Sequence, residues 1–170
     1  MALVSIIAAV SENGVIGDKG KIPWHIKKDL LHFRDKTAGR VVIMGRKSFD
    51  WMMDYYRKSK NPLPKRIHII VTRNKDYVIT EVNSFMVHSV KEALDLAKTL
   101  EKKEIFVGGG EQLYGQTIDR ADKLYLTIVK GNFKGDAYFP DYKKFMKVIF
   151  DSGWQKENNY IFKFIELLKS

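Results

Sequence analysis

The sequence predicts a single α/β domain, a largely parallel, mixed central sheet with helices on both faces and an antiparallel hairpin at its C-terminal end. Three observations carry that expectation. Strand-length apolar runs recur at Leu3–Val10, Val41–Met44, Ile67–Thr72 and Glu104–Val107, and near-continuous apolarity marks strands covered on both faces. Helical patterns and glycine-rich turns separate them. The segments from Phe145 to Ser152 and from Tyr160 to Leu168 alternate as a hairpin at a sheet edge does. A chain of 170 residues, 45% hydrophobic, can bury one such core, so 1–170 reads as one domain.

Composition narrows the function classes. No apolar run approaches the roughly 20 residues of a membrane span, and the N-terminal run lacks a basic lead. The chain has no cysteine, so disulfides and thiolate metal sites are excluded, which suits a reducing compartment with the cytoplasm as default. The formal charge of +10 favours polyanionic partners: nucleic acid, an anionic membrane or a small phosphorylated ligand.

In chain order, Ser11–Gly14 reads as a turn and Gly17–Lys21 as a polar loop beside a site, a lid candidate. Pro23 is expected to open a helix ending near Thr37–Gly39. Within it Ile26, Leu30, Phe33 and Thr37 recur at helical spacing, with Asp29 beside that stripe. Its carboxylate is expected to face inward, where it requires a cap or a ligand carrying donors; a plain helix-start aspartate is the simpler alternative. The Val41–Met44 strand turns at Gly45-Arg46-Lys47-Ser48 into a helix N-terminus, an anion pocket by its free N–H groups and cations. Asp54 to Lys65 reads as a long basic surface loop. Ile67–Thr72 ends in Arg73, Tyr77–Thr80 and Phe85–His88 read as short strands, and Ser89 caps a helix over Val90–Leu100. Glu104–Val107 runs into Gly108-Gly109-Gly110 and a short helix from Glu111 to Ile118, a second phosphate cradle. Asp122 to Val129 is a further strand, with Thr127 near its end.

Two strand-to-helix turns suit a dinucleotide. Arg46, Lys47 and Arg73 stand where an NAD-specific site would place an acid, which favours NADP. The four histidines fall in no metal-ligand spacing and Ser48 lacks a nucleophile-elbow context, so neither a metal nor a triad is expected.

The Pro23-Trp24 turn followed by Asp29 and Phe33, the Val42–Ser48 segment, the glycine run before Leu113-Tyr114, and Tyr125-Leu126-Thr127 together resemble the dihydrofolate reductase family across almost the whole chain. That resemblance implies hydride transfer from NADPH to 7,8-dihydrofolate with protonation of the pterin ring, by a monomer requiring no nucleic acid and no membrane. It implies Asp29 as the acid of the pterin pocket, with Thr127 bonded to it and Trp24 holding a water. Ala9, Val10, Phe33, Met52 and Leu63 would line the substrate site, and Arg66 would grip the substrate's glutamate carboxylate. For NADPH it implies Ala9, Ile16, Gly17, Ile22, Gly45, Arg46, Lys47, Ser48, Thr72, Arg73, Gly108, Gly109, Gly110, Glu111, Gln112, Leu113 and Tyr114. Gly108 replaces the family's usual aliphatic residue, and 53–60 is longer and more basic than the usual connection. The pyrimidine reductase of riboflavin biosynthesis, on a similar fold, is the alternative enzyme; a basic nucleic-acid module, supported by net charge alone, is the alternative class.

Overall fold

The computed structural model describes all 170 residues. Its elements are β1 (Leu3–Ser11), β2 (Val15–Gly17), α1 (Lys27–Thr37), β3 (Val41–Gly45), α2 (Arg46–Ser59), β4 (Ile67–Val71), β5 (Ser84–Val87), α3 (Val90–Leu100), β6 (Glu104–Val107), α4 (Glu111–Thr117), β7 (Lys123–Val129), β8 (Ala137–Tyr138), β9 (Lys147–Asp151), β10 (Gln155–Glu157) and β11 (Tyr160–Leu168). The main sheet runs β10-β11-β7-β1-β6-β3-β4-β5, with β9 also pairing β11. From β7 through β5 every pairing is parallel; β11 joins β7 antiparallel. No helix is long and apolar enough to cross a membrane.

Side-chain alternation divides the core into two layers. Ile6, Ala8, Val10, Val41, Ile43 and Ile69 meet Ala93, Leu94 and Ala97 of α3 and Leu113 of α4. Their neighbours Ile7, Val42, Met44 and Ile70 face the other way, onto Phe49 and Met52 of α2, with Phe33 of α1 against them. Strands β1, β3, β4 and β6 are therefore buried on both faces, which is why their sequences are near-continuously apolar, while β5 at the edge is partly exposed. The α3 helix follows the sequence expectation, Ser89 Oγ accepting from Glu92 N at 3.1 Å.

Three expectations are corrected. The helix expected from Pro23 starts at Lys27, because the N–H groups of Lys27 and Lys28 are capped from a distance by the Glu157 carboxylate of β10, Lys28 N at 3.0 Å; Pro23 and Trp24 form the turn before it. The loop expected from Asp54 begins only at Lys60, since α2 continues to Ser59, supported by a Lys58–Asp54 pair at 2.8 Å and ended by Lys60 at φ 57°. Tyr77–Thr80 is irregular, with the Tyr77 hydroxyl bonded to Asp50 of α2 rather than a backbone paired in the sheet. The antiparallel C-terminal pair follows the expectation: β9 pairs β11, which joins the sheet along β7, and the short β10 also pairs β11.

A small second sheet pairs β2 with β8. Here Gly135 lies so close to Val15 and the Gly17 carbonyl that a Cβ would clash with both. Gly135→Ala is expected to destabilise by roughly 1–3 kcal/mol, whereas Gly115→Ala, in α4 with open space around it, is expected to stabilise by roughly 0.5–1 kcal/mol; urea unfolding of the two variants measures both.

Candidate active site

The carboxyl ends of parallel strands β1, β3 and β6 open onto one cavity of about 320 Å³, the edge at which such sheets bind ligands. Asp29 and Phe33 enter it from α1, while Ser48, Trp51, Met52, Tyr55 and Tyr56 form a stripe from α2 at helical spacing. Gly108, Gly109 and Gly110 form one wall and Ile16, Gly17, Gly20 and Ile22 another.

Asp29 is the acid of the apolar end. The Thr127 hydroxyl donates to its Oδ1 at 2.6 Å, a contact set by the β1–β7 register that places Thr127 beside Ala9. Burial pushes the carboxyl up to about 6; the Thr127 bond offsets part of that, and the Glu157 charge adds to it. Trp24 is buried next to this acid's helix, edge-on to Phe133 at 5.1 Å, with its indole N–H unpartnered. His32, one turn beyond Asp29, stacks on Phe164 at 4.1 Å and is held down to about 4, chiefly by burial. It is neutral at physiological pH.

The two glycine turns prove to be one structure. Gly45 N donates to Gly109 O at 2.7 Å and Gly108 N to Ile43 O at 2.9 Å, so the ends of β3 and β6 are tied together. The Gly109–Gly110 peptide is cis. An added Cβ at Gly109 would lie 3.1 Å from the Tyr114 hydroxyl, and at Gly110 3.2 Å from Ser48 Oγ. Gly109 also has φ 117°, which favours glycine. Gly108 makes room for a different neighbour, since a Cβ there would come within 3.3 Å of the Phe33 ring and Val42.

The lid candidate is a tight turn. Asp18 and Lys21 exchange backbone bonds of 2.8 and 3.0 Å, with Lys19 and Gly20 at φ 50° and 77°. The Asp136 carboxylate accepts from Lys19 N at 3.2 Å, and Asp136 N donates to Gly17 O at 3.1 Å. Glu111, at the start of α4, accepts from Tyr138 N at 3.1 Å.

Several residues named from the sequence lie off this cavity. The Val10 side chain belongs to the core cluster on the opposite sheet face, because Ala9 and Val10 alternate; Leu113, on α4, packs into that same cluster. Leu63, Gly45, Arg46, Thr72, Arg73 and Gln112 are not among the lining residues. Arg46 instead lies 3.4 Å from Asp50 and over the Tyr77 ring at 5.8 Å, close to the exposed Arg73 end of β4. Arg66 is buried beneath Phe33, its guanidinium carbon 5.1 Å from the ring centre. Trp51, Tyr55, Tyr56 and His32 went unrecognised in the sequence; for the three on α2 the i+3, i+7 and i+8 recurrence from Ser48 was the available signal.

The arrangement unites an acid with raised proton affinity, an apolar slot and a glycine cradle beside cations. The family model for dihydrofolate reductase matches residues 3–169. The chain belongs to that family. It is 35% identical over 177 aligned positions to the "Dihydrofolate reductase type 3" of Salmonella typhimurium, covering 97% of each chain. To a dihydrofolate reductase of Buchnera aphidicola it is 40% identical over 148 positions, covering 86% of this chain and 84% of the other. Among solved structures, dihydrofolate reductase from Enterococcus faecalis complexed with NADP(H) and RAB-propyl superposes with a TM-score of 0.81 at 30% identity, covering 99% of this chain and 96% of that one. The chain is an NADPH-dependent oxidoreductase that reduces dihydrofolate to tetrahydrofolate, and the riboflavin-pathway alternative is not favoured.

Because the folded Asp29 carboxyl binds its proton more tightly than an unfolded aspartate, it costs nothing below about pH 4 and increasingly destabilises as pH rises through about 6. Asp29→Asn is therefore expected to stabilise the ligand-free protein by roughly 3 kcal/mol near pH 8, with the gain vanishing in acid; unfolding midpoints across pH measure it.

Proposed function

We propose that Asp29 orients the dihydropterin and supports its protonation, while the remaining cavity residues divide between substrate and NADPH. The observation that carries this reading is the Asp29–Thr127 pair inside an apolar slot facing the glycine turn. A pterin edge offers adjacent N–H donors, which supply Asp29 with the partners it lacks, and ionised Asp29 then favours a proton on the ring system. Trp24, with its indole N–H free, would hold a water on the proton's route. Ala9, Phe33 and Met52 supply apolar contact, and the lid turn from Ile16 to Ile22 would exclude water.

Arg66 would take the substrate's glutamate carboxylate. A buried guanidinium whose acceptors are all uncharged calls for an anion. Leu63 would contact the same tail.

The cofactor would lie along the glycine wall of the cavity, where the tied ends of β3 and β6 meet Ser48 and Tyr114. Gly109, Gly110, Glu111 and Gln112 would meet its pyrophosphate, and Arg46, Lys47, Ser48, Thr72 and Arg73 its adenosine end. Bound NADPH supplies the hydride. One chain supplies every wall of the cavity, so the reading requires neither a second copy nor nucleic acid, and the cytoplasm suits a reductase drawing on NADPH.

Spectrophotometric NADPH oxidation with dihydrofolate tests the assignment. Asp29→Asn is expected to lower kcat/KM roughly 100- to 1000-fold near neutral pH, with the deficit narrowing in acid as solvent protonates the pterin directly; an unaltered neutral rate would remove Asp29 from the mechanism. Titration with both nucleotides is expected to show NADPH binding at least about tenfold more tightly than NADH, a preference that Arg46→Ala with Arg73→Ala erases. Equal affinities in the unmutated protein would overturn the phosphate assignment.

A further inference from the structure

His68 is fully buried and has no part in the reading above. It lies two residues beyond Arg66, so the two side chains share one face of the extended chain entering β4. A guanidinium carries five N–H donors. Arg66 Nε donates to His68 Nε2 at 2.8 Å, Nη1 to Thr37 Oγ1 at 2.7 Å and Nη2 to Met52 Sδ at 2.9 Å. Those three bonds leave one N–H on each terminal nitrogen, the pair that a carboxylate takes bidentately.

Because Nε2 of His68 accepts, its proton must lie on Nδ1, which is buried without a partner. Burial and the adjacent Arg66 charge push His68 down to about 3, so the ring stays neutral in the working pH range. Leaving a buried N–H unpaired is unfavourable, and an apolar residue here would avoid it. Phe49, tilted against the imidazole at 5.4 Å, helps keep the ring in place. An acidic residue would hold Arg66 more strongly, but it would also neutralise the charge.

We infer that His68 is a positioning residue for recognition of the substrate's glutamate carboxylate: it fixes the Arg66 guanidinium through Nε and, being uncharged, leaves the full charge for the ligand. Thr37 and Met52 complete a cage of neutral acceptors, and Tyr56, which also lines the cavity, faces the same guanidinium. The inference rests on the reading of Arg66 as the tail-binding residue.

The experiment compares kcat/KM for dihydrofolate with that for a dihydropterin carrying a neutral side chain in place of the glutamate-bearing one. His68→Leu and His68→Glu are each expected to reduce discrimination between the two roughly tenfold, through the KM for dihydrofolate with kcat retained. His68→Gln, whose amide oxygen reaches the Nε2 position, is expected to keep it within about twofold. A merely structural role would lower both substrates together and leave the ratio unmoved. Should His68→Leu fail to fold, His68→Glu and His68→Gln carry the comparison, with circular dichroism confirming their fold. Unchanged discrimination in His68→Glu overturns the inference. Arg66→Ala separates the two levels: if it too leaves discrimination intact, the tail-binding reading itself is wrong, and if it abolishes discrimination while the His68 variants do not, only the role of His68 falls.

Discussion

A carboxyl group held in apolar surroundings is the constraint around which this molecule is built. Asp29 would be unfavourable at its position without the hydroxyl of Thr127, and that hydroxyl arrives only through the parallel register of β1 and β7. The helix bearing Asp29 depends in turn on a distant carboxylate. Ile26, at its N-cap position, has no side chain able to accept a bond, so Glu157 from β10 satisfies the first N–H groups. Sheet register, a remote cap and apolar burial thus converge on one proton-binding group, and burial outweighs the hydrogen bond in setting its proton affinity.

The same economy of backbone geometry shapes the opposite wall. Parallel strands deliver their carboxyl ends to one edge, and there β3 and β6 are locked together through Gly45, Gly108 and Gly109. What the chain presents as two separate phosphate turns is a single cradle with two helix N-termini beside it. Glycine is required where Tyr114 and Ser48 crowd the backbone. At Gly108 its absence of a side chain instead leaves space for Phe33, so the departure from the family's aliphatic residue has a local packing partner.

Much of this was legible without coordinates. Apolar runs identified the buried strands, Ser89 marked the start of α3 to the residue, and Asp29 was recognisable as an inward-facing acid from its place beside the Ile26, Leu30, Phe33 stripe. The errors share a cause. The polar, basic stretch from Asp54 suggested a loop, yet as far as Ser59 its charged residues occupy the solvent side of a helix whose other side carries Trp51, Met52, Tyr55 and Tyr56 into the cavity. Pro23 suggested a helix start because the true cap, Glu157, lies 130 residues away from Lys27 in sequence. Val10 was placed in the site although strand alternation sends it to the other core layer.

The sequence by itself determined the class of fold, the glycine and cation positions and the acid, since periodicity, backbone freedom and charge are local properties. The tertiary structure decided which of these meet. Thr127 reaches Asp29, and Arg66 turns inward onto Thr37, His68 and Met52, because long-range register and burial select among donors and acceptors that look equivalent along the chain. Proton affinity belongs to the same category: an aspartate becomes a group titrating near 6 only once the surrounding chain has removed its water.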